Sequence, residues 1–252
     1  MSETIFVTGA ASGIGKAAAL LFAGRGWFVG CYDVDVDGAR KTAEACRTAC
    51  HGRLDVTSEE SWRVAVTDFE AQSGAKMNVL FNCAGILRMG RFEEVPPAEC
   101  RKQIDVNIMG VVLGIHACLP ALERSRGTIV NMSSASAVYG SPELAVYSAT
   151  KFAVRALTEA LDIEFRSKGV RVCDVMPGYV DTPMVRSQDK PAQTVARMGV
   201  KLKAEDIAEL VWKAAHGKAL HYMPQLDFKL LTRINGISPA LARAVMHRFA
   251  KV

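Results

Sequence analysis

Ile5-Phe6-Val7-Thr8-Gly9-Ala10-Ala11-Ser12-Gly13-Ile14-Gly15 stands near the start of this chain, and Lys16-Ala17-Ala18-Ala19-Leu20-Leu21-Phe22 follows it. The short apolar run reads as a strand, the glycines as a tight turn, and the alanine- and leucine-rich run as a helix. Glycine lets the backbone turn sharply and approach a ligand, and the start of the next helix offers unpaired N–H groups to a pyrophosphate. The spacing is G-x-x-x-G-x-G rather than the usual dinucleotide fingerprint G-x-G-x-x-G. A glycine turn can also serve no ligand at all, so the motif needs support. A second strand-like run, Trp27-Phe28-Val29-Gly30-Cys31-Tyr32, ends in Asp33, eighteen positions after Gly15. An acid about 20 positions on is where a dinucleotide-binding βαβ unit hydrogen-bonds the adenosine ribose.

Farther along, Tyr147-Ser148-Ala149-Thr150-Lys151 sets a phenol and an ammonium four residues apart. On a helix that spacing stacks them on one face. A free tyrosine ionises near pH ~10, and a neighbouring cation favours the phenolate, which would make the phenol useful in proton transfer. Exposed Tyr/Lys pairs are common, so the weight comes from meeting both motifs in one chain.

Strand-like and helical segments alternate along the whole length. Strands are predicted at Ile5–Val7, Phe28–Tyr32, Arg53–Leu54, Val79–Cys83, Thr128–Met132, Arg171–Val175 and His221–Met223. Helices are predicted at Ile14–Gly24, Val36–Ala49, Glu59–Ser73, Ala98–Glu123, Tyr147–Ser167 and Ala204–Gly217. No repeat or linker interrupts residues 1–252. The expectation is an α/β fold: one Rossmann-like, doubly wound domain with a seven-stranded, mostly parallel sheet and helices on both faces.

Over residues 4 to 185 the chain resembles the short-chain dehydrogenase/reductase family, through six motifs in order. Thr8–Gly15 is similar to its glycine motif, and Asn82-Cys83-Ala84-Gly85 to its N-N-A-G, with Cys83 in place of the second Asn. Asn107 in Val106-Asn107-Ile108-Met109-Gly110 matches the helix asparagine, and Ser134 stands thirteen residues before Tyr147. Tyr147 and Lys151 match Y-x-x-x-K, and Pro177-Gly178-Tyr179-Val180-Asp181-Thr182 matches P-G-x-V-x-T. The resemblance implies hydride transfer between a nicotinamide cofactor and an alcohol or ketone. Tyr147 would be the general acid/base, Ser134 would hold the reacting oxygen, Lys151 would hold the nicotinamide ribose and lower the Tyr147 pKa, and Asn107 would hold a water on the proton path. It further implies cofactor contacts from Gly9, Ser12, Gly13, Ile14, Gly15, Asp33, Asp55, Val56, Asn82, Ala84, Gly85, Tyr147, Lys151, Pro177, Gly178, Val180 and Thr182. Read without the family, Ser134 is a loop serine bonding its own backbone, Asn107 a helix asparagine at a kink, and Asp55 an acid near a helix N-cap.

Asp33 would accept hydrogen bonds from ribose hydroxyls and repel a 2′-phosphate, so NAD is expected over NADP. Val34-Asp35-Val36-Asp37 adds acid and no base, and Ser12 is not the Arg or Lys that NADP-using relatives often carry. Ile86, Leu87, Ala135, Ser136, Tyr139, Leu144, Gly178 and Tyr179 are the residues expected to face an alcohol, which favours a lipophilic secondary one. Pro183–Val200, with Met184, Val185, Val195 and Met198, is expected to form an amphipathic lid. The alternative to an enzyme is a non-catalytic dinucleotide sensor or scaffold, and the intact Ser134, Tyr147 and Lys151 count against it.

The bulk properties bound the rest. The chain has 252 residues, half of them hydrophobic, and no uninterrupted apolar run near the ~20 residues of a bilayer span. The first strand begins within four residues, which leaves no room for a signal peptide, and seven scattered cysteines read as reduced thiols, so a cytoplasmic location is expected. Cys46 and Cys50 would share a helix face, and the five histidines form no ligand pattern, so no metal is expected. Residues 225–252 form a basic, amphipathic segment holding +4 of the chain's net +5, from Lys229, Arg233, Arg243, Arg248 and Lys251 against Asp227. Its Phe228, Leu230, Leu231, Ile234, Leu241, Val245 and Phe249 recur at helical spacing, open to packing, a pocket wall or peripheral membrane contact. Nucleic acid is not an expected partner. Apolar residues on more than one face of two helices (Ile104, Ile108, Val112 and Ile115; Val154, Leu157, Leu161 and Phe165) predict a homodimer or homotetramer.

Overall fold

Side-chain alternation along the strands builds two cores, one on each face of a single sheet. The computed structural model describes residues 3–188, 190–225 and Ser238. In chain order the first half comprises β1 (Thr4–Thr8), α1 (Gly13–Gly24), β2 (Phe28–Asp33), α2 (Val36–Glu44), β3 (Ala49–Arg53), α3 (Glu59–Ser73) and β4 (Val79–Asn82). Next come α4 (Pro97–Ile104), α5 (Gly110–Ser125), β5 (Thr128–Met132), α6 (Ala145–Glu164) and β6 (Arg171–Val175). A short excursion follows, with a two-stranded parallel sheet of its own: β7 (Val180–Asp181), α7 (Pro183–Arg186), α8 (Gln193–Met198) and β8 (Leu202–Lys203). The described chain closes with α9 (Ala204–His216) and β9 (His221–Tyr222).

The main sheet has seven strands in the order β3-β2-β1-β4-β5-β6-β9, all pairs parallel. Ile5, Val7, Val79, Phe81, Val130 and Val175 project to one face and pack with Phe22 of α1 and Ile207 and Val211 of α9. Phe6, Leu80, Ile129 and Val172 project to the other, against Trp62 and Phe69 of α3, Val111 and Leu122 of α5 and Val154 of α6. That two-sided burial explains why the central strands read as continuous apolar runs. The reversal of strand order between β1 and β4 opens a crevice at their carboxyl ends.

Several boundaries differ from the sequence reading. Helix α2 ends at Glu44 rather than Ala49, and β3 covers Ala49–Arg53 rather than Arg53–Leu54. Cys46 therefore lies in the turn after α2 and Cys50 is buried in β3, so they do not share a helix face. As an edge strand with sequence ACHGR, β3 has no need of an apolar run, and Ala45–Thr48 resembles a continuing helix in composition alone. The expected helix Ala98–Glu123 is two helices joined through a π turn at Asp105–Met109. The run Pro97–Ser125 has the length and hydropathy of a bilayer span, yet Val111, Cys118 and Leu122 are buried in the core beside α3. Ile115, Val154 and Phe165, expected on an outer face, belong to that same core. The exposed large apolar residues of these helices are Ile104, which the sequence reading names, and Met109, Phe152 and Ile163, which it does not. Apart from Gln225 and Ser238, the expected basic segment 225–252 lies outside the described residues, as does the side chain of Met198.

Candidate active site

Six strand ends deliver their loops to one cleft of about 1030 Å³. After β1, Gly9 adopts φ +71°, and a Cβ there would stand 3.0 Å from the Ala84 backbone. A Cβ on Gly15 would fall 2.1 Å from the Gly9 carbonyl oxygen, so α1 can start this close to the turn only with glycine. Thr8 Oγ1 accepts from the N–H groups of Cys83 and Ala84 at 3.0 and 2.9 Å, fastening the β4 loop to the β1 loop. Ser12, the N-cap of α1, makes no capping side-chain bond, and no acid stands in the first turn. This leaves a backbone floor and a free helix N-terminus, which fit the pyrophosphate of a dinucleotide.

Asp33, at the end of β2, accepts from Ala11 N–H through Oδ2 and from Asp35 N–H through Oδ1, each at 3.0 Å. Two backbone donors fix the carboxylate while each oxygen keeps a lone pair that can face the cleft. The carboxylate of Asp55, after β3, accepts from both the N–H and the hydroxyl of Thr57, at 2.9 and 2.7 Å, which holds its pKa below the usual range. It is thus a turn-forming residue that also lines the cleft beside Val56. Ser58, not Asp55, caps α3.

Ser134 follows β5, and its Oγ accepts the Ser136 N–H at 3.1 Å, which leaves the hydroxyl proton to be donated. Tyr147 and Lys151 sit on the first turns of α6. Burial pushes the Tyr147 phenol up to about 12, with a hydrogen bond from Ser134 pulling the other way. Burial pulls Lys151 down to about 8. Its Nζ donates to the Met132 carbonyl at 2.7 Å and lies 5.6 Å from the Tyr147 ring centre. The phenol stands above its ordinary value here because loss of solvent dominates, while the Lys151 ammonium donates to the Met132 carbonyl. Cys83, where the family motif has asparagine, is a neutral thiol pushed up to about 12 by burial.

Gly9, Ser12, Gly13, Ile14, Gly15, Ala84, Gly85, Pro177, Gly178, Val180 and Thr182 line the cleft together with Asp33, Asp55, Val56, Ser134, Tyr147 and Lys151. All eight residues expected to face an alcohol line it too, and so do Met184 and Val185 of α7. Asn82 and Asn107 do not. Asn82 Nδ2 donates to Asn131 Oδ1 at 2.9 Å behind the β4 loop. Asn107 is fully buried in the π turn, where Oδ1 accepts from Ile86 N–H at 2.8 Å and Nδ2 donates to Ile86 O at 2.9 Å and Thr150 Oγ1 at 3.2 Å. Its side chain braces the loop that carries Gly85 and Ile86. Sequence reasoning missed Thr194, whose Oγ1 meets Tyr179 Oη at 2.6 Å, and Gln225, whose Oε1 accepts the Gly178 N–H at 2.9 Å. Neither lies in a recognisable motif.

Known proteins place this geometry in context. The family model described as short chain dehydrogenase matches residues 3–193. A 3-alpha-(or 20-beta)-hydroxysteroid dehydrogenase of Mycobacterium bovis is 37% identical over 186 residues, covering 73% of this chain and 71% of that protein. A cis-4-hydroxycyclohexanecarboxylate dehydrogenase of Sinomonas cyclohexanicum is 38% identical over 215 residues, covering 81% and 86%. The crystal structure of a 3-ketoacyl-(acyl-carrier-protein) reductase from Brucella melitensis complexed with NADH superposes with a TM-score of 0.80 at 30% identity, covering 88% of this chain and 96% of that one. By family match, fold and site, the chain belongs to the short-chain dehydrogenase family.

Proposed function

We propose that the protein is an NAD-dependent oxidoreductase that interconverts a lipophilic secondary alcohol, carried on an alicyclic ring, with its ketone. The observation that carries this reading is the meeting of Ser134, Tyr147 and Lys151 in the cleft that also holds the Gly9–Gly15 floor and Asp33. A bound nicotinamide dinucleotide supplies the hydride acceptor or donor. The chain's own part is proton transfer and positioning. Tyr147 Oη takes or gives the proton of the substrate oxygen, and the Ser134 hydroxyl, aimed by the Ser136 N–H, steadies charge on that oxygen. Asp33 repels a 2′-phosphate, which supports NAD over NADP.

The ring preference rests on the walls. Ile86, Leu87, Leu144, Met184 and Val185 offer an apolar surface, and the two relatives described above are named for a hydroxysteroid and a hydroxycyclohexanecarboxylate, both molecules with alicyclic rings. Pro183–Val200 serves as the lid, held by Gln188, whose side chain bonds Met89 N–H and Leu87 O, and by Glu143 Oε2, which accepts Gln193 N–H at 2.6 Å. Self-association through α4 and α6 would cover Ile104, Phe152 and Ile163. The test is NADH formation against cyclohexanol, a hydroxysteroid, a linear secondary alcohol and a sugar alcohol, each with NAD and NADP. Ring alcohols with NAD should turn over fastest; a sugar alcohol leading the panel, or NADP equal to NAD, refutes the reading.

A further inference from the structure

Behind the site, β9 carries an ionic cluster that the proton-transfer scheme does not use. His221 of β9 places Nδ1 2.9 Å from Asp174 Oδ1 on β6 and Nε2 3.2 Å from Glu159 Oε1 on α6. Asp174 is completely buried, and its Oδ2 has no hydrogen-bond partner among the described residues. Arg155 on α6 faces the same cluster, donating through Nε to Glu159 at 2.8 Å and through NH1 to Ala137 O at 3.2 Å, in the turn after Ser134.

Both imidazole nitrogens thus meet carboxylate oxygens. A neutral imidazole has one N–H and an ionised carboxylate has none, so one of the two contacts would set lone pair against lone pair. One extra proton removes the conflict wherever it sits. On His221, both nitrogens donate. On Asp174, the acid donates to Nδ1 while Nε2–H serves Glu159. The pair therefore holds a single shared proton.

What the cluster holds is the short strand β9, which pairs with β6 over two residues. Three residues past Tyr222, Gln225 Oε1 accepts the Gly178 N–H at 2.9 Å. Gly178 lines the cleft in the loop between β6 and β7. We propose that Gln225 is a positioning residue of the active site, held on the Gly178 amide by β9, and that the proton shared by His221 and Asp174 sets how firmly that strand is held.

The sign follows from the partners: the carboxylates hold His221 above its ordinary value against the opposing effect of burial. The grip is therefore complete below about pH 6.5 and is lost as pH rises through the higher folded value.

Amide hydrogen exchange at Gly178 reads the contact with no cofactor present, so it can fail independently of the proposed reaction, on which only the kinetic arm rests. Protection factors, corrected for intrinsic rates, are compared at about pH 6 and about pH 9, on either side of the histidine range. The wild type should lose at least ~10-fold protection at the higher pH. Gln225→Ala should lose it at both, and raise KM about 3- to 10-fold with kcat within about twofold. His221→Gln, which cannot titrate, should show low protection that does not change with pH. Gly178 protected in Gln225→Ala as in wild type overturns the proposal, as does a wild-type pH response surviving in His221→Gln. Should His221→Gln fail to fold, the wild-type pH series and Gln225→Ala decide alone.

Discussion

Replacing Tyr147 with phenylalanine separates chemistry from architecture in one step, because the ring stays and only the hydroxyl goes. The ring packs against the cluster of Met89, Leu144 and Ala192, and phenylalanine fills the same volume. What is lost structurally is at most one polar contact of the hydroxyl, with Ser134. Such a contact contributes at most about 1 kcal/mol net, so the melting temperature should fall by no more than about 2–4 °C for a domain of this size. The chemical loss is far larger. A general acid–base group contributes ~10²–10⁴ in rate, equivalent to about 2.7–5.5 kcal/mol of barrier. Turnover, followed as NADH formation with cyclohexanol, should drop by that factor, while NADH binding, followed by fluorescence, should change less than about twofold. A variant that kept more than about a tenth of its turnover would refute the assignment of Tyr147 as the proton-transfer group.

The same side chain sets a pH dependence whose sign can be worked out. With burial holding the phenol near about 12, only about one molecule in 10⁴ carries the phenolate at pH 8. Alcohol oxidation needs the base form, so its rate should climb about tenfold per pH unit where proton transfer limits, with no plateau before about pH 10. Ketone reduction starts from the neutral phenol and should not share that climb. Lys151, pulled down to about 8, loses its charge within the window. Cofactor affinity should therefore weaken from about pH 8 upward if its ammonium grips the ribose. An oxidation profile that levels off below about pH 8 would mean that another group, or a phenol far more acidic than its burial dictates, carries the proton.

Three further outcomes are expected. Wild-type protein should bind NAD at least about tenfold more tightly than NADP, and Asp33→Ala combined with Val34→Arg should reverse the order; titration with both cofactors checks this, and equal wild-type constants would remove the electrostatic argument. Asn107→Leu should lower the melting temperature by about 5–15 °C, since it strips two partners from Ile86 at about 1–3 kcal/mol each and this size of domain shifts about 2–4 °C per kcal/mol. A fall under about 2 °C would mean that water replaces the bracket. In sedimentation at micromolar protein the species should exceed the chain mass of 27.3 kDa, and Ile163→Lys, placing charge where the side chain is now 69% exposed, should weaken the assembly; a wild-type monomer would refute it.

What could be read from the sequence divides along a physical line. Local signals survived well: the β1–turn–α1 unit, the acid ending β2 and the Y-x-x-x-K helix each depend on neighbours a few residues apart, so spacing alone locates them. Strand β3 was misplaced because an edge strand buries little, and His51 and Gly52 break any apolar run. The π turn at Asp105–Met109 leaves no mark in hydrophobic period, since Val106, Ile108, Met109, Val111, Val112 and Leu113 are apolar almost without a break and hide the shift of face that one extra residue makes. Its cause becomes visible only in three dimensions, where Asn107 must reach Ile86, twenty-one positions earlier. Gln225 was invisible for a similar reason: it meets Gly178 across forty-seven residues.

The hardest quantity to read was the electrostatics of the site, and the reason bears on how the site works. A sequence shows that Lys151 lies one turn from Tyr147, and proximity alone predicts a more acidic phenol. It does not show how far each group is withdrawn from solvent, or that one ammonium proton is donated to the Met132 carbonyl. Withdrawal from solvent disfavours charge on either group, so it drives the phenol up and the ammonium down, away from each other. Cys83 keeps that wall neutral, because its thiol is held far from ionising. The resting site at neutral pH is thus a protonated phenol beside a hydroxyl whose orientation is already fixed by Ser136. That is the form a ketone needs, so the protein alone is poised to donate a proton. For alcohol oxidation, the phenolate must be stabilised by whatever positive charge enters the cleft with the substrate and cofactor. The direction of the reaction at a given pH then depends on the occupied site, and comparing the pH profiles of oxidation and reduction measures how much that occupancy contributes.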